Sequence, residues 1–79
     1  MTNTTEQESV DYLILRLLKQ VKKYASHEKE LSTYKIAKRL HIAWSTANIH
    51  CYKLKSEGKI DGKLEKAEIG EGKKMLWWC

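Results

Sequence analysis

At Gly58 the hydrophobic rhythm of the chain changes, and that break divides what the sequence can build. Before it, apolar residues recur at the three-and-four spacing of helical faces; after it, short runs flank a glycine-rich turn. Val10, Leu13, Ile14, Leu17, Leu18, Val21, Tyr24 and Ala25 mark the inward stripe of a first helix. Thr5 and Glu8 form a capping box at its start, and Lys19, Lys22 and Lys23 suit the negative pole at its end. Residues 27–31 are polar and read as a connection. Ser32 then caps a short second helix that turns Ile36, Ala37 and Leu40 inward. His41 and Ile42 interrupt the pattern. A third helix is expected over about 44–57, with Ala47, His50, Cys51 and Leu54 inward and Gly58 as its stop. Beyond it, strands at 63–69 and 73–78 flank Gly70, Glu71 and Gly72 as a hairpin, although their alternation does not fix which side chains face in.

The expected fold class is therefore α+β, three helices followed by a C-terminal hairpin. Residues 1–8 read as a polar tail and 9–79 as a single domain, because a chain of 79 residues hides only about 60% of its unfolded surface and has no room for a second core. The chain carries 15 Lys and Arg against 10 Asp and Glu. Three of the acids, Glu6, Glu8 and Asp11, precede every base, so the body sets 15 bases against 7 acids and suits a polyanionic partner. No apolar run approaches the roughly 18 to 20 residues a bilayer requires, and the polar, acidic start lacks the pattern of a secretory signal. The expected setting is the cytoplasm, with no membrane partner.

The stretch LSTYKIAKRLHIAWSTANIHCYKLKSEGKI, residues 31–60, resembles the helix-turn-helix core of winged-helix DNA-binding transcription regulators, including small ones encoded by archaea and their viruses. The marks are Ala37 where two helices cross, Ile42 in the turn, Ser45, Thr46 and Ala47 opening the third helix, and Leu54, Glu57, Gly58 and Ile60 leading out of it. Two positions depart from the pattern. His41 stands where the family often has Gly, and Ala43 where a capping Ser is commoner. The resemblance implies a winged helix-turn-helix fold with the helix-turn-helix at about 32–57 and the wing at about 60–79. It also implies sequence-specific binding of double-stranded DNA, transcription regulation and, for a viral protein, residence in the host cell cytoplasm.

The third helix carries chemistry suited to a major groove. Asn48 pairs well with an adenine, Ser45 and Thr46 with a base or phosphate, and Ile49 with a thymine methyl; Trp44 opens the helix, and Tyr52 and Lys53 suit phosphates. On the hairpin, Lys63, Lys66, Lys73 and Lys74 suit the backbone or the minor groove. A homodimer is expected, with Tyr12 and Leu15 on the outer face of the first helix as the contact.

Other readings compete. A winged helix also serves as a protein-interaction adaptor without DNA. Met75, Trp77 and Trp78 suit a stacking platform for RNA or a single strand, against which stands the need of so small a domain for large core residues. Cys51 and Cys79 leave three alternatives open: a bridge between the wing and the third helix, free thiols, or a bridge between subunits through Cys79. His27, His41, His50 and the cysteines show no paired ligand spacing, so no metal and no cofactor are expected. Neither a nucleophile with its base nor a phosphate loop is visible, and the chain reads as a non-enzyme.

Overall fold

The computed structural model describes residues 5–25, 27–66 and 72–79. The elements run α1 (Thr5–Tyr24), β1 (Leu31–Ser32), α2 (Thr33–Leu40), α3 (Trp44–Ser56), β2 (Asp61–Lys66) and β3 (Lys73–Trp78). Three helices and a three-stranded antiparallel sheet of order β1-β3-β2 make this an α+β structure. No helix among the described residues is long and apolar enough to cross a membrane. The side chains of Thr5 and Glu8, and the turn residues Gly70 and Glu71, lie outside the described residues, so the capping box and the turn fall there too.

The core joins every layer. Ile14, Leu18 and Val21 of α1, Ile36 and Ala37 of α2, and Ala47, Cys51 and Leu54 of α3 meet Leu31, Ile60 and Trp77. Two members of the expected α1 stripe are turned out instead: Leu13 is at the margin of exposure and Tyr24 lies in solvent with Lys23 over its ring. The reason is width. One packed face of a helix this size needs only the Ile14, Leu18 and Val21 line, and the flanking positions remain open.

The polar connection also hides a strand. Leu31 and Ser32 pair with Trp77 and Leu76 across β1 and β3. A two-residue strand is too short to show a period of two, which is why it reads as loop. Ser32 then serves a second purpose, its hydroxyl accepting a hydrogen bond from the Lys35 backbone N–H at the start of α2.

Both short helices end in the same way. At α2, the N–H groups of His41 and Ile42 donate to the carbonyls of Lys38 and Ala37, with His41 left-handed at φ 58°, ψ 44°. At α3, Gly58 at φ 76° and Lys59 donate to Lys55 and Leu54. This is the Schellman arrangement, and glycine enters its left-handed position without strain whereas His41 does not. Ala43 caps α3 with no side-chain hydrogen bond.

β2 begins two residues earlier than expected, with Gly62 opposite Trp77. Gly62 looks like a breaker in sequence. In the structure it is the space that lets the indole lie flat over β2, since a methyl there would overlap the Trp77 ring.

Candidate nucleic-acid interface

Trp44, Asn48 and Tyr52 recur every fourth residue on α3 and therefore share one stripe. That stripe faces β2 and β3 across a concavity of about 300 Å³, whose wall is completed by Tyr34 and Thr33 of α2, Leu64 of β2, and Lys73, Lys74 and Met75 of β3. Trp44 is 54% exposed, so the site offers aromatic surface to a partner. On the neighbouring stripe, Ser45 is open and Ile49 is 66% exposed, while Thr46 is half-buried. An isoleucine that open amid polar neighbours gains nothing from folding.

Trp77 organises the floor of this site from the core. Its ring meets Tyr52 edge-on, with centroids 5.1 Å apart and planes at 85°. Its indole N–H donates to Thr33 Oγ1 at 2.8 Å, and the Thr33 hydroxyl donates to Asn48 Oδ1 at 3.5 Å. The indole is fully buried, so its N–H needs that partner. Trp77 is thus a core residue, and Trp78 is half-buried at the strand's end.

The charged groups divide according to whether an acid meets them. Lys53 is engaged by an acid, its ammonium lying 2.7 Å from Asp11 of α1. The other Asp11 oxygen lies 2.6 Å from His50 Nδ1, which makes a half-buried clamp between α1 and α3. Burial works against the charge on Asp11, yet the hydrogen bonds from Lys53 and His50 outweigh it and hold the carboxyl below its ordinary range. In the sequence Asp11 stands out only as part of an acidic start, and the one sign that it faces inward is its place between the inward Val10 and Ile14. Lys63 lies 3.6 Å from Glu30, so it too is engaged. Glu28 takes Lys35 and Arg39 on α2, the Lys35 hydrogen bond being the main reason its carboxyl sits below the ordinary range.

Lys66 and Lys73 differ. They are direct cross-strand partners on the face that carries Leu64 and Met75, and neither has an ion pair among the described residues. Two like charges set opposite one another cost stability unless an anion comes between them. Lys74 reaches the rim of the concavity, with Glu65 as its partner across the ladder.

Of the residues singled out from the sequence, Trp44, Asn48, Tyr52, Lys73 and Lys74 come together on one concavity, and Tyr34, Leu64 and Thr33, which the sequence did not single out, complete it. Tyr34 had a legible signal as an aromatic at the second position of a short helix and off its inward line. Leu64 and Thr33 had none until the register was known. Tyr12 and Leu15 line a separate shallow groove on α1 with Arg16, Lys19, Gln20, Lys23 and Tyr24. Tyr12 is open, while Leu15 also packs against the core.

The bridge between Cys51 and Cys79 is not formed; both are thiols. Cys51 faces the core, and burial also raises the half-buried Cys79 thiol against the lowering charges of Lys19 and Lys22. Burial pushes the Cys51 thiol up to about 12, with the Asp11 charge adding to it. Among the described residues, no group of three His, Cys, Asp or Glu side chains has the arrangement of a metal site.

Comparison with models of protein families, with curated proteins and with solved structures returned no match for this chain.

Proposed function

We propose that this protein binds double-stranded DNA through α3 and the β2–β3 pair, as a winged helix-turn-helix regulator of transcription rather than an enzyme. The observation that carries the reading is the convergence of Trp44, Asn48 and Tyr52 with Lys73 on one open concavity, beside the like-charged Lys66 and Lys73 pair. A major groove admits one α-helix, and α3 presents to it an amide, hydroxyls and the open Ile49. The lysine pair then lies where a phosphate relieves its repulsion. Lys53 and Lys63, engaged by Asp11 and Glu30, contribute less than Lys66 and Lys73 to the phosphate contacts. A single module buries only about 600 to 1,000 Å² on DNA, so a homodimer built through the Tyr12 and Leu15 groove is the expected route to useful affinity.

The test is a titration of duplex DNA across salt. Phosphate contact gives a log-log slope near −0.9 for each phosphate neutralised, and Lys66→Ala and Lys73→Ala each reduce that slope by about one unit. No retention of duplex at low salt removes the reading and leaves protein partners as the use of this face.

A further inference from the structure

The chain of hydrogen bonds behind the concavity has a direction, and the direction decides what Asn48 can offer. An indole N–H only donates, so Thr33 Oγ1 must accept from Trp77. The one proton on Thr33 Oγ1 is then left to donate, and the acceptor it meets is Asn48 Oδ1. Asn48 Nδ2 has no partner among the described residues, and Asn48 lines the concavity. The amide carbonyl is drawn back towards α2, and the two N–H groups are what remains for a ligand.

That outcome bears on base choice. Adenine shows the major groove an acceptor beside a donor, so an asparagine pairing with it needs its oxygen and nitrogen side by side. Guanine shows two adjacent acceptors, N7 and O6. Building on the duplex-binding reading above, we propose that Thr33, held by Trp77, is a positioning residue that fixes the Asn48 amide with its donors outward, so that α3 selects guanine at the position Asn48 contacts. This replaces the adenine pairing expected from Asn48 alone.

Two measurements test it. In the free protein, nitrogen-proton spectra follow the Asn48 side-chain amide and the Trp77 indole N–H. Thr33→Val shifts the Asn48 pair and speeds exchange of the indole proton, whereas Thr33→Ser, which keeps the hydroxyl, leaves both near their original state. An Asn48 pair unmoved by Thr33→Val overturns the relay. Selection from random duplexes then identifies the base position whose preference Asn48→Ala abolishes. The expected base is guanine, replacing it with 7-deazaguanine weakens binding by about tenfold, and Thr33→Val relaxes the preference while binding to random duplex at low salt is kept. Adenine at that position, indifference to 7-deazaguanine, or an intact preference in Thr33→Val overturns the proposal. The 7-deazaguanine arm reads the unaltered protein at the position that the exposed-face variant Asn48→Ala identifies, and so does not depend on Thr33→Val folding. Failure of the unaltered protein to bind any duplex at low salt is a different result: it overturns the DNA reading, and the guanine preference with it, whatever the spectra show.

Discussion

At the scale of single residues, backbone conformation matters as much as side-chain chemistry. His41 occupies a left-handed position that Gly58 fills without cost in the equivalent cap of α3. The strain is about 1 to 2 kcal/mol for a residue with a β-carbon, partly offset by the extra freedom glycine has when unfolded. His41→Gly is therefore expected to stabilise the protein by about 0.5 to 1 kcal/mol, read as a higher denaturant midpoint with an unchanged slope. A lower midpoint would mean that the imidazole makes a contact worth more than the strain. The sequence carried the hint, because a histidine stood where the resembling family has glycine. It could not reveal Gly62 in the same way. There the requirement is space for an indole from another strand, which exists only once β2 and β3 are in register.

Among elements, the packing of α1 on α3 depends on a polar contact as well as on the hydrophobic faces. Asp11 joins His50 and Lys53 while Ile14 and Leu18 pack beside Cys51 and Leu54. The folded state lowers the Asp11 carboxyl below its ordinary 3.8, so its contribution is complete above that value and is lost as pH falls through the folded one. Stability is thus expected to decline below about pH 4, and the Asp11→Asn variant to be less stable by about 2 kcal/mol at pH 7 with a shallower acid decline. Thermal melts across pH 2 to 7 check both, and parallel curves for the two proteins would exclude Asp11 as a source of the acid dependence. The helices themselves were legible: the spacing of Ile36 and Ala37, and of Ala47, Cys51 and Leu54, placed α2 and α3 within a residue. β1 was not, since two residues cannot display a period. The clamp was hidden for another reason: polar pairing between Asp11 and His50 spans 39 residues, and nothing local in the sequence announces a partner so distant.

For the whole molecule, the placement of charge separates two kinds of association. Arg16, Lys19 and Lys23 lie in the α1 groove with Tyr12 and Leu15, and a self-contact there brings like charges together. Salt screens that repulsion while it competes with binding to phosphate. Raising salt is expected to increase the share of dimer in sedimentation while it weakens retention on DNA, and Tyr12→Ala is expected to reduce the dimer at every salt concentration. A mass of one chain across micromolar concentrations at high salt would remove the proposed contact. The basic balance of the chain was plain from composition, but its division into engaged and open lysines required knowing that Asp11, Glu28 and Glu30 sit beside particular bases. Finally, the indoles of Trp44 and Trp77 lie at opposite extremes, one in solvent on the concavity and one sealed beneath it. With Trp78 half-buried between them, the molecule contains optical reporters at both limits: emission that a soluble quencher reaches follows occupancy of the surface, while blue-shifted emission shielded from it follows the integrity of the interior.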